Sequence, residues 1–332
     1  MIITKSPCRI TLGGGGTDLP SFFSKYGAFF ITATIDKEVC VVSNEQYYNS
    51  YRLFYSKYEE EKNVDDLKHP LFREAIKLLD VDPGIELHSI SDIPSGTGLG
   101  SSGAFLTSLL ANLHTIKGET FTQRQIAEEA CNIEIDILKE HEGYQDKYAC
   151  AFGGLNAFTI RKDGSVITLP IPNKDIIIPK LNDRLMMFST KSKRGGTASD
   201  SLSSIDNQLK DNSNKDLDNY MLTVKDMGAR SYGALSNDNL NAFGKIMDDY
   251  WHLKQKVYGK THPKIEKAYK LGKRCGATGG KVMGASSNSG FLMFYHNGSK
   301  DEKENLIRTL ENEGFMYKDF NITEGGVEIE YQ

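Results

Sequence analysis

The richest stretch for chemistry is Pro94-Ser95-Gly96-Thr97-Gly98-Leu99-Gly100-Ser101-Ser102-Gly103, with four glycines and four hydroxyls in ten residues. Glycine permits positive φ, so successive N–H groups can converge on an anion, and the start of a following helix adds partial positive charge. A phosphate cradle suits that composition. A plain strand-to-helix turn with a serine cap would need one glycine, not four. A Walker A loop requires a lysine at its end, and none follows here. The run Gly98 to Gly103 does match G-x-G-x-x-G. A dinucleotide fold, however, expects a second strand ending in an acid about 20 residues on, and here Lys117-Gly118-Glu119-Thr120 leads into another helix. A nicotinamide-dependent oxidoreductase is therefore disfavoured.

Next come two acids. Glu134 falls on the otherwise apolar stripe Ala127, Cys131, Leu138, where a carboxylate needs a partner. A divalent cation bridging to nucleotide phosphates would supply one, against the alternative of a surface acid. Asp146 follows in Gly143 to Gly154. Three further segments are candidates for ligand contact. Arg9 to Asp18 places an arginine on a strand and an acid after four glycines, suited either to a polyhydroxylated ligand or to a hairpin tip. Lys191-Ser192-Lys193-Arg194 is a small basic loop that could hold an anion or simply be solvated. Gly279 to Gly290 is a second loop of small residues.

Several elements must position these groups. Ile2–Leu12, Ala28–Ile35, Val39–Val42, Arg52–Tyr55 and Ile85–Ile90 read as strands, the last running straight into the glycine loop. Ser102–Ile116 is apolar over most of its surface, which predicts a central buried helix. Thr122 with Gln125 reads as a capping box opening a helix to about Lys139. Strands at 155–161 and 166–171 follow, and the proline-bearing segment 170–183 is the expected domain boundary. The second half alternates helices (217–234, 238–258, 263–275, and one opened by Ser299 and Glu302) with strands at 185–190, 281–284, 290–295 and the final stretch.

Bulk properties narrow the function classes. The 332 residues carry 40 basic and 44 acidic side chains, a formal charge of -4 that offers no overall attraction for nucleic acid or an anionic membrane. The five dispersed cysteines form no C-x-x-C pair and suit a reduced, cytoplasmic chain. The first residues lack a signal-peptide pattern, and no run reaches the roughly 18 apolar residues of a membrane span. The seven scattered histidines show no metal-ligand spacing.

Taken in order, Arg9 to Asp18, Pro94 to Gly103, Glu134 with Asp146, and Gly284 to Gly290 resemble the motifs of the GHMP small-molecule kinases over essentially the whole chain. Ser6 to Asp18, Ile133 to Glu140 and Gln145 to Gly154 look most like the sugar 1-kinase branch, which includes D-glycero-D-manno-heptose 7-phosphate kinases and fucokinases. The resemblance implies an α+β fold of two domains. Residues 1–178 would form a nucleotide-binding domain with a left-handed β-α-β crossover, against the usual handedness, and 179–332 a ferredoxin-like domain. It implies a cytoplasmic monomer or homodimer using ATP and Mg2+ to phosphorylate the anomeric hydroxyl of a sugar phosphate, for surface-polysaccharide precursor synthesis.

By the same resemblance, Pro94 to Gly103 would wrap the ATP phosphates, with Ser102 and Glu134 on magnesium. Asp146 would act as base beside Arg9. Gly15, Gly16, Thr17, Asp18, Gly284 and Ser287 would hold the sugar, and Lys191, Lys193 and Arg194 its existing phosphate. Two features depart from the relatives' pattern. Ala285 to Ser289 replace a glycine-rich run, and Lys147 stands where Gln is common, so that it would pair with Asp146 or meet a substrate phosphate. A non-catalytic sugar-binding regulator on the same fold is the rival reading.

Overall fold

In the computed structural model, residues 1–191, 198–211, 214–258, 261–285 and 290–331 are described. The apolar start of the chain forms β1 (Ile2–Gly13), followed by α1 (Pro20–Tyr26) and the 18-residue β2 (Ala28–Glu45). The sequence pattern suggested two short strands in place of β2, because Asp36-Lys37-Glu38 interrupts its apolar alternation. The strand stays continuous because β1 takes up the irregularity with a register shift between Pro7 and Arg9, opposite those polar residues.

Next come β3 (Tyr51–Phe54), β4 (Tyr58–Glu61), α2 (Pro70–Leu78), β5 (Ile85–Ser91), α3 (Ser101–Ile116), α4 (Gln123–Cys131), α5 (Gln145–Phe152), β6 (Leu155–Ile160) and β7 (Val166–Pro170). Helix α3 is buried from Gly103 through Thr115. Three of its polar residues bond to strands: Thr107 bonds Ser6 at 2.8 Å, Ser108 donates to the Thr4 carbonyl at 3.0 Å, and Asn112 Nδ2 donates to the Val41 carbonyl at 3.0 Å. These bonds fix the helix, and with it the loop that precedes it, against β1.

Helix α4 is shorter than its periodicity suggested. It is capped by Thr122, whose hydroxyl accepts from the Gln125 N–H at 3.1 Å, but the box is only half made because the Gln125 side chain bonds Glu129 instead. After Cys131 the backbone widens into a π-helical turn over Asn132–Ile137, which carries Glu134. Such turns re-aim side chains and cluster at functional sites.

The segment expected as the domain boundary contains a helix, α6 (Lys174–Arg184), which tolerates Pro179 inside it and buries Ile177, Ile178 and Leu181. Beyond it lie β8 (Leu185–Ser189), α7 (Ala198–Lys210), α8 (Lys215–Ser236), α9 (Leu240–Tyr258), α10 (Pro263–Arg274), β9 (Gly279–Val282), β10 (Phe291–Tyr295) and α11 (Lys300–Asn312). Here the Ser299/Glu302 capping box is complete. The last strands are β11 (Met316–Lys318), β12 (Ile322–Thr323) and β13 (Glu328–Tyr331).

Among the described residues these strands form two sheets. The larger runs β13-β1-β2-β5-β3-β4, with β6 and β12 also on β2 and β7 on β6; the smaller runs β11-β8-β10-β9. Strands β12 and β13, from the C-terminal half, thus belong to the N-terminal sheet. One core fills the larger sheet and α3, and a second packs Phe188, Trp251, Tyr269 and Phe294 under the smaller sheet. No described helix is long and apolar enough to cross a membrane.

Candidate active site

The loop between β5 and α3 opens into a cavity of about 740 Å³, within the range of small-molecule sites. Gly100 caps α3 in a left-handed conformation, φ 75°, so the loop's backbone turns directly into the helix N-terminus. Gly98, φ +83°, lies where a Cβ would come within 2.5 Å of the Met283 carbonyl oxygen. Only glycine lets the loop and the β9–β10 connection touch there. Ser95, Gly96, Gly98, Gly100, Ser101 and Ser102 line the cavity; Pro94, Thr97, Leu99 and Gly103 shape the turn without lining it.

Asp146 sits in the first turn of α5, packed so closely on α3 that a Cβ at Gly103 would lie 2.8 Å from its own. Arg9, on β1 and almost fully buried, donates from Nε at 2.8 Å and Nη2 at 2.5 Å to the same oxygen of Asp146, Oδ1. Its Nη1 donates to the Gly98 carbonyl at 2.8 Å, and its backbone N–H to that of Leu99 at 2.8 Å. One guanidinium therefore ties together the acid and the glycine loop. Burial opposes its charge, but the adjacent Asp146 carboxylate more than offsets this and raises its pKa.

Asp18 also lines the cavity and is buried. Its Oδ1 accepts from the Gly16 N–H at 3.0 Å and its Oδ2 from the Gln145 N–H at 2.9 Å. Burial raises its pKa against those N–H bonds, with Asp146 adding to the rise. Gly15 and Gly16 line the cavity beside it. Thr17 does not: its hydroxyl donates to the Gly14 carbonyl at 2.8 Å and the Phe29 carbonyl at 3.2 Å, holding the turn.

Ser102 and Glu134 do meet, with Ser102 Oγ donating to Glu134 Oε1 at 2.7 Å. The carboxylate's other oxygen faces the buried ammonium of Lys147, which also lies 4.0 Å from Glu142. Among the described residues Lys147 thus pairs with Glu134 and not with Asp146. The reason is helical geometry: adjacent residues on α5 point in different directions. A magnesium ion held by Glu134 needs oxygens whose charge is not already matched. With Oε1 taken by Ser102 and the other oxygen matched by Lys147, Glu134 offers no such oxygen, and this donor set does not fit one.

Burial works against the Lys147 charge, but Glu134 and Glu142 more than reverse that and raise its pKa. Glu142 is pushed up to about 8 by burial, with Lys147 opposing and Glu134, Asp146 and Asp18 adding.

The opposite wall comes from the second half of the chain. Lys281 on β9 is 4% exposed, and its ammonium lies 4.8 Å from the Tyr250 ring centroid on α9. Burial and, secondarily, Arg9 lower its pKa to about 7. Gln145 donates from Nε2 to Thr11 Oγ1 at 2.6 Å, while its buried Oε1 has no hydrogen-bond partner among the described residues. Sequence reasoning missed Lys281, Gln145 and Glu142. Lys281 lay inside a flagged glycine loop, and Gln145 directly precedes Asp146. Gly284 lines the cavity, whereas Lys191 is exposed and does not. Lys193, Arg194 and Ser287 lie outside the described residues.

Comparison with known proteins agrees with this layout. The GHMP kinases N-terminal domain matches residues 69–154, and the GHMP kinases C-terminal domain matches 231–315. The chain belongs to the GHMP kinase family. It is an enzyme that transfers a phosphoryl group from ATP. This GHMP kinase is 28% identical, over 98% of both chains, to a Campylobacter jejuni protein named D-glycero-alpha-D-manno-heptose 7-phosphate kinase. Its fold matches a D-glycero-D-manno-heptose 1-phosphate kinase from Bacteroides thetaiotaomicron with a TM-score of 0.80 at 21% identity, covering 100% of this chain and 99% of that one. A Lactococcus lactis galactokinase bound to galactose matches with a TM-score of 0.78 at 16% identity, over 98% and 94%.

Proposed function

We propose that this GHMP kinase phosphorylates the anomeric C1 hydroxyl of D-glycero-D-manno-heptose 7-phosphate, giving the 1,7-bisphosphate for surface-polysaccharide precursor synthesis. The observation that carries the reading is the Arg9–Asp146 pair, held against both Gly98 and Gly103 of the phosphate loop and opening on the same cavity as Asp18. The full-length similarity to the Campylobacter heptose 7-phosphate kinase points to the sugar.

In this reading the ATP phosphates lie along the N–H groups of residues 95–102 and the start of α3, which offset their charge without rearranging. The sugar lies against Gly15, Gly16 and Asp18, and Gln145 Oε1 accepts from one of its hydroxyls. Asp146 orients the attacking hydroxyl and takes its proton as the new O–P bond forms and the bond to ADP breaks. An anomeric hydroxyl is more acidic than an ordinary alcohol, which eases that transfer. Arg9 stays charged throughout and fixes the Asp146 carboxylate. Lys147 supplies fixed positive charge beside Ser102.

The experiment is a panel of sugars and sugar phosphates, fucose and heptose 7-phosphate among them, incubated with the protein and magnesium ATP while ADP release is followed. Heptose 7-phosphate should be preferred. No ADP above background from any sugar, together with an indifferent Asp146→Ala variant, would sink the reading. Ligand-induced stabilisation without turnover would instead favour the non-catalytic regulator.

A further inference from the structure

The cavity holds more buried cations than the phosphoryl-transfer geometry accounts for. Arg9 is matched by Asp146, and Lys147 by Glu134 and Glu142. Lys281 has neither an ion pair nor a hydrogen bond among the described residues; its ammonium meets only the face of Tyr250. An unpaired buried ammonium is costly, and natural proteins keep one chiefly where something else completes it. A cation–π contact recovers only a fraction of the lost hydration.

The position of Lys281 is set by the fold and not by a mobile side chain. Strand β9 is clamped between β10, where Lys281 pairs with Met293, and α9, whose Gly244 carbonyl would lie 2.1 Å from a Cβ at Gly279. Two residues further on, the Met283 carbonyl abuts Gly98 of the phosphate loop, and Lys254 Nζ holds the Gly284 carbonyl at 2.8 Å. Lys281 therefore stands on a rigid wall, between the phosphate loop and the Asp18 side, where Tyr250 also faces.

We propose that Lys281 is an anion-reading residue whose ammonium binds an oxygen of a terminal phosphoryl group, that of a phosphorylated acceptor or that of the nucleotide. Tyr250 forms the apolar side of that subsite, directing the ammonium into the cavity. The neighbouring guanidinium strengthens the pull on an anion and disfavours a neutral group. The pKa near 7 fits such a role, because an arriving dianion would hold the proton on the amine. Exposed Lys191 is not required to read the acceptor's phosphate. This assignment rests on the kinase reading for its substrate but not for its anion.

Two measurements test it. In the first, Lys281→Met and Lys281→Arg are compared with the parent for KM of magnesium ATP and for the kcat/KM ratio of a sugar phosphate to its unphosphorylated sugar. A charge-assisted hydrogen bond predicts a loss of about tenfold or more in that ratio for Lys281→Met, largely restored in Lys281→Arg, if the acceptor is the source. A comparable rise in KM for ATP, with the acceptor ratio unmoved, assigns Lys281 to the nucleotide. In the second, the parent protein is trace-acetylated at neutral pH and the lysines are read by peptide mass spectrometry, with and without inorganic phosphate. Lys281 should react readily and be shielded by phosphate. Unchanged KM values and ratio in Lys281→Met, with no shielding, overturn the proposal. If no sugar is turned over yet phosphate still shields Lys281, the kinase assignment of substrate fails and the anion site stands.

Discussion

Lys147 and Lys281 line the same cavity and are almost equally buried, yet their protonation equilibria move in opposite directions. Lys147 lies on α5 between Glu134 and Glu142, which keep it charged. Lys281, across the cavity on β9, faces Tyr250 and Arg9, which do not. Burial penalises both ammonium groups alike, so the sign of each shift is decided by the neighbouring carboxylates. The α5 wall is internally neutralised and can hold its geometry without a ligand. The β9 wall carries a charge still to be matched.

Four substitutions separate the two walls. The largest effect is expected at the matched wall's chemistry: Asp146→Asn should lower kcat by roughly a hundredfold to ten-thousandfold, measured by ADP release. Next, Lys147→Gln leaves Glu134 and Glu142 buried without their cation and should cost about 3–5 kcal/mol in urea unfolding. Millimolar magnesium or manganese should recover part of that loss in the variant and none in the parent. An equal metal response in both would show that Lys147 does not occupy the cation's place.

The third prediction concerns pH. The Lys281 pKa is lowered in the folded protein, so between about 7 and the ordinary lysine range the unfolded chain binds the extra proton. Stability should therefore rise with pH across that window, by at most about 1.4 kcal/mol per pH unit from this group, while its penalty is full below pH 7. Lys281→Met removes that component. The parent's deficit relative to the variant should narrow from pH 7 to 10 in paired thermal or urea scans; a constant gap would contradict the assignment. The smallest effect is expected at Lys191→Gln. That residue is exposed and outside the cavity, so stability should change within about 0.5 kcal/mol, and KM for the sugar phosphate by less than a factor of about three.

These contrasts also mark what the sequence could and could not reveal. The glycine loop was legible because its signal is local: four glycines between a strand and an apolar helix. Glu134 was legible as an acid on an apolar face. Its partner was not, because the π-helical turn after Cys131 breaks the 3.6-residue spacing and sets Glu134 against Lys147. Thr17 looked like a ligand contact from its neighbours, yet its hydroxyl is spent on backbone carbonyls. Lys281 was invisible because its meaning depends on the Tyr250 ring and on having no carboxylate partner among the described residues, both products of how α9 packs on β9. The helix within segment 170–183 was not legible, because apolar Ile177, Ile178 and Leu181 outweigh the helix-breaking proline.

Strand β13 pairs with β1 at Ile3, Thr4 and Lys5, and the Val327 N–H donates to the Ala151 carbonyl at the end of α5. On a ribosome, β1 and α5 therefore emerge long before the segment that covers them. Until residues 322–331 follow, β1 lacks its outer partner at Ile3 to Lys5 and the groove at Gly153 stands empty. The two elements that carry Arg9 and Asp146 are thus completed last, and a nascent chain has its glycine loop well before it has a fully supported Arg9–Asp146 pair.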